Sequence, residues 1–515
     1  MTGPTGTGTT TGGTTTGGGE TRVERDQIGE MTLDARDLRG IHTHRAMDNF
    51  RLSGRAVHPR LVRAYALVKK ACARANAETG WLDPGIAGAI ERASDEVASG
   101  THDALFSVDA LQGGAGTSTN MALNEVLANR ATELLAEAEP SRFPPDGAAA
   151  VSPLGHVNLH QSTNDTYPTA LKVCLIGLVR EAAGAAQALQ GAFQDKEKEF
   201  ARVVTVGRTE TLPAVPMTLG AEFSGFAECV GRDRWRAFKC EERLRVVNLG
   251  GTAVGTALAA PRRYVFRATD ILREITGYPL ARAENLVDQT ANADALVEVA
   301  GIFQAAASNL VKVSRDLRFL AHSGEILLPA LQAGSSIMPG KVNPVILEAA
   351  IQCGMRMRAS LSLVAEAASQ GTLQINEYLP LVADAMIESL SLYAAAAETL
   401  ARHVAGIRAD EAACALLLDS NPMTVTAFVP IVGYDGARDL LDGWKADARR
   451  LPLRAFLSEK LGGDTVARVL SPAALTSLGF AGEPGAAQLT APNLTAPQPG
   501  APRREAAPSD KGTTP

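Results

Sequence analysis

The sequence lacks paired cysteines and an excess of basic residues. Its six cysteines, at positions 72, 174, 229, 240, 353 and 414, form no Cys-x-x-Cys pair. This spacing argues against a zinc ribbon or a disulfide framework and is typical of a reducing cytoplasm. The 50 Lys and Arg stand against 56 Asp and Glu, a net charge of −6, so nucleic acid is not an expected partner. Hydrophobic residues still make up 45% of the chain, enough to bury a large core.

The chain also lacks segments that would direct it to a membrane. Residues 1–19 are Gly and Thr apart from Met1 and Pro4, without the basic and apolar regions of a signal peptide. No stretch reaches about 18 uncharged apolar residues, so we expect no membrane contact and a cytoplasmic location. A Gly/Thr arm (1–20) and a Pro/Ala-rich tail (481–515) are expected to be disordered, which leaves a folded body of residues 21–480.

Three common catalytic signatures are missing as well. The sequence has no Walker loop, no Rossmann Gly-x-Gly-x-x-Gly motif and no Gly-x-Ser-x-Gly elbow. Nucleoside triphosphatases, dehydrogenases and hydrolases of these types therefore have no support in the sequence.

What the sequence has in abundance is helical periodicity. Steps of three and four residues separate the apolar positions of one seam: Leu296, Val299, Phe303, Ala306, Leu310, Val313, Leu317 and Leu320. Alternating β patterns are scarce, and four more long helices are predicted near 169–203, 221–247, 345–369 and 381–407. We therefore predict an all-α chain with a helix bundle. The 296–320 seam is so apolar that we expect other copies of the chain to cover it.

Four segments rich in Gly, Ser, Thr and Asn interrupt these helices, at 112–130, 156–170, 207–220 and 334–344. Such loops carry function more often than packing. Their hydroxyls and amides, with the cation Lys341, suit a small dicarboxylate, although each of the first three alone also fits a capped helix or a plain connection. His156 and His160 have the i, i+4 spacing of a metal pair, but no third ligand or His-Glu-x-x-His motif accompanies them.

The fourth segment, Gly-Ser-Ser-Ile-Met-Pro-Gly-Lys-Val-Asn-Pro at 334–344, resembles the signature of the aspartase/fumarase superfamily. The other three segments follow in that family's order, and the similarity extends from Glu24 to Asp435. The resemblance implies a three-domain, all-α fold whose long central bundle is completed in a homotetramer, with each active site shared between three subunits. It implies no required cofactor, and it implies domains at 21–157, 158–413 and 414–480.

Within the superfamily, segments 112–131 and 370–376 are similar to the aspartate ammonia-lyase form. The activity this implies is elimination of ammonia from L-aspartate to give fumarate. Fumarases share every major loop, so fumarate hydratase, or another lyase that releases fumarate from a substituted succinate, is the alternative. A catalytically silent helical assembly is a third interpretation.

The proposed chemistry removes a weakly acidic Cβ proton, so the adjacent carboxylate must be stabilised as an enediolate by fixed donors. By resemblance, Ser335 is the base. The β-carboxylate contacts are Thr117, Ser162, Thr163 and Ser336. The α-carboxylate contacts are Thr209, Lys341 and Asn343, and Asn164 contacts the amino group.

Two departures from the family pattern bear on the substrate. Glu210 stands where relatives usually carry His or Gln. Its carboxylate would either attract a substrate ammonium, which favours an amine over malate, or repel the dicarboxylate. The segment His322–Pro329, which leads into the signature loop, is shorter than the corresponding family segment, and this shortening is expected to alter closure or specificity.

Overall fold

Helices dominate the structure, a computed structural model that describes residues 20–142 and 151–480. The predicted arm and tail lie outside those residues, apart from Glu20. The helices are α1 (Ile41–Asn49), α2 (Pro59–Glu78), α3 (Pro84–Ser99), α4 (Thr117–Ala138), α5 (Thr163–Glu199), α6 (Leu219–Leu244), α7 (Arg262–Thr276), α8 (Leu286–Ala291), α9 (Asp294–His322), α10 (Val345–Ser369), α11 (Leu379–Ala405), α12 (Glu411–Ser420), α13 (Val429–Ala446), α14 (Leu453–Leu461), α15 (Gly463–Val469) and α16 (Pro472–Thr476). The prediction of a mostly helical chain is confirmed.

The strands of the described residues are short and pair in twos. They are β1 (Thr21–Arg25) with β2 (Glu30–Asp34), β3 (Val204–Thr209) with β4 (Leu212–Thr218), β5 (Val246–Val247) with β6 (Ala281–Arg282), and β7 (Ile326–Leu327) with β8 (Arg408–Ala409). The β3–β4 hairpin was not predicted, because Pro213 and Pro216 interrupt the alternation of β4 and a bulge follows Val206 in β3.

The predicted helix at 169–203 begins earlier, at Thr163, although Pro168 lies inside it. A proline has no N–H to donate to the carbonyl four residues before it, here that of Asn164. The side chain of Asn248 donates to that carbonyl instead, at 2.9 Å, and so satisfies the acceptor that Pro168 leaves open. The helix therefore runs through the proline.

The apolar seam of α9 is buried within the single chain. Its eight predicted residues are at most 6% exposed, because α9 packs against α10 and α11. Gly354 lets α10 come close: a Cβ there would lie 2.9 Å from the Ala307 carbonyl oxygen. The rings of Phe303 and Tyr393 join α9 to α11 with centroids 5.6 Å apart. The expectation that other copies must cover this seam is therefore wrong.

By length and composition alone, α9 and α11 are apolar enough to cross a membrane, and a third span would result if α12 and the bent segment Pro422–Ala446 counted as one. In the structure α9 and α11 both pack in the bundle with α10. The expected lack of membrane contact stays a prediction.

The chain divides into two compact units. Of the described residues, the first comprises 20–142, 151–196, 223–323 and 328–408 and holds the bundle and the starts of α4 and α5. The second comprises the described residues 197–222, 324–327 and 409–480 and holds the β3–β4 hairpin. It has its own apolar core, which includes Phe428, Leu453 and Leu457. The three domain boundaries inferred from the sequence stay predictions.

Candidate active site

The first predicted loop ends in a tightly held helix start. Gly114, Ala115 and Gly116 all have left-handed backbones, with φ of 77°, 55° and 90°, and α4 begins at the next residue, Thr117. A Cβ on Gly116 would lie 2.3 Å from the Tyr167 ring, so only glycine fits there. The Thr117 hydroxyl donates to the Gly114 carbonyl oxygen at 2.6 Å. The loop thus brings the N-terminus of α4 close to the start of α5.

The second predicted loop ends in a capping box. Asp165 Oδ1 accepts the N–H of Ser162 at 2.9 Å, and Ser162 Oγ accepts the N–H of Asn164 at 3.2 Å. Asp165 is fully buried, and its Oδ2 accepts the N–H groups of Gly250 and Thr252 at 3.0 and 3.1 Å. Burial raises the pKa of Asp165 to about 6. This carboxyl group anchors the start of α5 to the loop around residue 250.

The two helix starts are joined by side-chain hydrogen bonds. Asn120 Nδ2 on α4 donates to Thr163 Oγ1 on α5 at 3.0 Å. The Tyr65 hydroxyl donates to Asn120 Oδ1 at 2.9 Å and contacts Thr166 Oγ1 at 2.6 Å. The side-chain Nδ2 of Asn164 donates to the Ala253 carbonyl oxygen at 2.7 Å. The structure therefore brings the first two predicted segments together, with hydroxyls next to two helix N-termini that favour an anion.

The signature loop is closed on itself. The N–H of Gly334 donates to the Lys341 carbonyl oxygen at 2.7 Å, and Asn343 Nδ2 donates to the Gly334 carbonyl oxygen at 2.7 Å. A Cβ on Gly334 would lie 2.6 Å from the Lys341 oxygen, so this closure requires glycine. The side-chain amide of Asn343 has a second N–H that takes no part in this closure.

The Ser335 hydroxyl oxygen is held by two backbone N–H groups of this loop. This Oγ accepts the N–H groups of Ile337 and Met338, at 3.2 and 2.8 Å. Two donors aimed at one hydroxyl oxygen stabilise its negatively charged form. Ser336 and Lys341 are exposed, so a dicarboxylate can reach both. The hydrogen bonds of Ser335 and Asn343 just described all stay inside the loop and do not connect it to the starts of α4 and α5.

The third predicted segment places Thr209 and Glu210 at the tip of the β3–β4 hairpin, in the second unit. Glu210 and Thr211 both have left-handed backbones, with φ of 53° and 69°, as a two-residue hairpin turn requires. Both Thr209 and Glu210 are exposed. The segment 207–220 was predicted as a loop before the helix at 221–247, but the structure makes most of it a β-hairpin, and α6 starts at Leu219.

A buried ion pair supports this hairpin from within the second unit. Glu325, at 0% exposure, comes from the shortened segment that follows α9, and its Oε2 lies 2.7 Å from Arg208 Nη2 on β3. The Thr205 hydroxyl also donates to Glu325, and the Glu325 carbonyl oxygen accepts the N–H of Asp410 at 2.9 Å. Sequence reasoning noticed only the shortening of the segment. Glu325 and its partners on β3 are more than a hundred residues apart, and no local pattern signals such a contact.

The two spaced histidines are engaged in separate contacts. His156 Nδ1 accepts the Ser152 N–H at 3.0 Å, whereas His160 Nδ1 lies 2.6 Å from Asn76 Oδ1, and the Trp81 ring packs edge-on at 5.3 Å from the His160 ring. Across residues 20–142 and 151–480, no group of three or more His, Cys, Asp or Glu is arranged to hold a metal ion.

Comparison with known proteins decides the family. A family model described as a lyase matches residues 29–359, more than half of the chain. An aspartate ammonia-lyase from a Bacillus species is 35% identical over 469 residues, which cover 90% of this chain and 99% of that protein. The chain belongs to the aspartase/fumarase superfamily of lyases. A class II fumarate hydratase from Thermus aquaticus is 40% identical over 82% of this lyase and 91% of its own length.

The fold agrees with this assignment. A crystal structure of a fumarate lyase:delta crystallin from Brucella melitensis bound to cobalt matches with a TM-score of 0.81 and 38% identity, over 88% of this chain and 99% of that one. The lyase is therefore a member of a fumarate-releasing family. Aspartate ammonia-lyases and fumarases are matched at similar identity, so identity alone does not choose the leaving group.

Proposed function

We propose that this lyase eliminates ammonia from L-aspartate to give fumarate. The observation that carries the proposal is the signature loop, in which the Oγ of Ser335 accepts two backbone N–H groups. A hydroxyl held in this way is prepared to act as a base, because its conjugate anion already has two donors. The alkoxide form of Ser335 takes the Cβ proton, and the electrons of the C–H bond pass into the β-carboxylate to form an enediolate. The enediolate then collapses to the C=C bond of fumarate as the C–N bond breaks and ammonia leaves Cα.

The paired starts of α4 and α5 are our candidate for the β-carboxylate site. Thr117, Ser162 and Thr163 lie at two helix N-termini whose dipoles favour negative charge. The enediolate carries more charge on this group than the substrate does, so fixed donors stabilise the transition state more than the ground state. Ser336 completes this set, while Thr209, Lys341 and Asn343 hold the α-carboxylate. This division of roles follows the family resemblance.

The preference for an amine over a hydroxyl rests on Glu210. A carboxylate at the exposed position 210 would attract the ammonium of aspartate, the same group that the family resemblance assigns to Asn164. Malate has no positive charge at that position and gains nothing from it. A fumarate hydratase, or a lyase for another substituted succinate, is the competing function, because fumarases match this chain as well.

We also propose that the active site is completed in a homotetramer, with three subunits contributing to each site. The exposed Ser336 and Lys341 side chains and the self-contained hydrogen bonding of the signature loop support this arrangement. D2 symmetry is the common closed form for four copies.

The direct test follows the absorbance of fumarate with the purified full chain, first with L-aspartate and then with L-malate, and with Ser335→Ala as the blank. We expect fumarate from aspartate at a kcat/KM at least about tenfold above that for malate, the size of one charge-assisted contact. Faster release from malate would make the chain a hydratase. No fumarate from either substrate would leave the substrate to be sought among other succinates, and our aspartate assignment would be wrong.

A further inference from the structure

A buried lysine lies next to the two helix starts. Lys69 on α2 is 0% exposed, and its ammonium donates to Asn158 Oδ1 at 3.0 Å and to Gln161 Oε1 at 2.9 Å. The centroid of the Tyr65 ring is 5.4 Å from the Lys69 nitrogen. Burial lowers the pKa of Lys69 to about 7, because desolvation disfavours the ammonium form, whereas the two amide oxygens that accept from its nitrogen favour that form. Such a group is a candidate for function, because packing alone would be better served by an apolar side chain.

The ammonium sets the direction of a chain of hydrogen bonds. An ammonium can only donate, so it turns the oxygen of the Asn158 amide towards itself. That oxygen also accepts from Nδ2 of Asn120 and Nδ2 of Asn124, each at 3.3 Å. With its nitrogen turned this way, Asn120 donates to Thr163 Oγ1 at 3.0 Å. The Thr163 hydroxyl is then an acceptor towards the protein and keeps its own proton for a ligand.

The electrostatic setting is consistent with this role. The carboxyl group that interacts electrostatically with Lys69 of α2 is that of Asp165 on α5. Its oxygens accept hydrogen bonds from the backbone N–H groups of residues 162, 250 and 252. Cys72 is the other titratable neighbour, and burial raises its pKa to about 12, which keeps the thiol neutral. The ammonium of Lys69 is therefore hydrogen-bonded to two neutral amide oxygens, of Asn158 and Gln161, which do not cancel its charge.

We propose that Lys69 is a positioning residue for the dicarboxylate: acting through Asn158 and Asn120, it holds the Thr163 hydroxyl as a donor and adds positive potential to the starts of α4 and α5. The inference rests on the proposed function, which places the β-carboxylate at these helix starts. Lys69 acts on the substrate through the amide side chains and not by direct contact.

The test compares Lys69→Met with Lys70→Met in the full chain. Lys70 is the next residue on α2, and its ammonium pairs with Asp95 at 2.6 Å. The same substitution at Lys70 therefore leaves the hydrogen bonds from Lys69 through Asn158 and Asn120 intact. Binding of succinate, a dicarboxylate without a leaving group, is measured by calorimetry, and Tm is measured on the same samples. We expect Lys69→Met to weaken succinate about tenfold without lowering Tm, and Lys70→Met to leave the Kd unchanged.

Kinetics add a second criterion. The kcat/KM for aspartate should fall by more than the succinate Kd rises, because the enediolate places more charge on the group that Thr163 binds. If Lys69→Met folds poorly, Lys69→Gln keeps an N–H donor and undergoes the same comparison, with a smaller loss expected. An unchanged succinate Kd in the folded variant, or a loss of binding matched by an equal loss in Lys70→Met, would overturn the role of Lys69.

Ser162→Ala separates failure of this inference from failure of the proposed function. If Ser162→Ala weakens succinate and Lys69→Met does not, the dicarboxylate site stands and only the role of Lys69 is wrong. If neither substitution changes succinate binding, the dicarboxylate does not lie at the starts of α4 and α5. The proposed substrate site and the proposed role of Lys69 would then both be wrong.

Discussion

The contact between Gly116 and Tyr167 offers a sharp test of how the two helix starts are held. Gly116 has a φ of 90°, and an added Cβ would lie 2.3 Å from Cδ2 of the Tyr167 ring. Two penalties follow for Gly116→Ala. The left-handed backbone costs a non-glycine residue about 1–2 kcal/mol. The overlap with a ring that is only 1% exposed adds about 1–3 kcal/mol, because normal carbon–carbon separations are about 3.5–4.0 Å and the ring has little room to move.

Gly80→Ala is the matched control. Gly80 has a φ of 84°, and nothing lies within 4 Å of the position its Cβ would take, so this variant carries only the backbone penalty. We expect Gly116→Ala to lower the free energy of unfolding by about 2–5 kcal/mol and Gly80→Ala by about 1–2 kcal/mol, measured by denaturant titration.

Activity should separate the two glycine variants further. A displaced Tyr167 shifts the start of α5 against that of α4, and a misplacement on the order of 1 Å can lower the rate up to about a hundredfold. The kcat/KM for aspartate should therefore fall at least about tenfold in Gly116→Ala and stay near the original value in Gly80→Ala. Equal stability losses in the two variants, with equal activity, would refute the packing of Tyr167 against the start of α4.

Four further outcomes are expected. Ser335→Ala should lower kcat by orders of magnitude with Tm unchanged, since a loop hydroxyl contributes little to the core; near-normal turnover would remove Ser335 as the base. Glu210→Gln should lower kcat/KM for aspartate about tenfold and leave any malate activity nearly unchanged, whereas improved aspartate turnover would point to a different substrate. Glu325→Ala removes the buried carboxylate that pairs with Arg208 and should lower the unfolding free energy of the second unit by about 3–5 kcal/mol. Asp95→Ala, in an exposed pair, should lower its unfolding free energy by less than about 1 kcal/mol, and equal losses would mean that the Glu325 pair is not buried. Light scattering at micromolar concentration should give a tetramer, and a monomeric mass would contradict the shared active site.

The start of α5 shows how far local sequence reasoning reaches. The Ser162-Thr-Asn-Asp165 segment was recognised as polar groups before a helix, and it is a capping box in the structure. The helix start was nevertheless predicted too late, because Pro168 signals a break. The acceptor that Pro168 leaves open is satisfied by Asn248, which is eighty residues away in the sequence. A local rule cannot anticipate a partner at that distance.

The α9 seam shows the opposite kind of error. Its periodicity predicted the helix, which runs from Asp294 to His322, but not what covers it. Periodicity tells which face of a helix avoids water, and it does not distinguish a neighbour in the same chain from one in another copy. The pairing with α10 depends on Gly354 and Ala307, whose closeness only the packed bundle reveals.

The sequence by itself determined the helical class, most of the long helices, the four polar loops and, through the signature segment, the family. These properties depend on residues that are close together in the chain, or on motifs that form continuous stretches of sequence. Only the tertiary structure decided which charged side chains are buried and which residues they contact. Lys69 reaches Asn158 across 89 positions, and Glu325 reaches Thr205 across 120. A charge in a sequence is expected at the surface by default, and it becomes a buried, directing group only when distant segments fold around it and supply its hydrogen-bond partners.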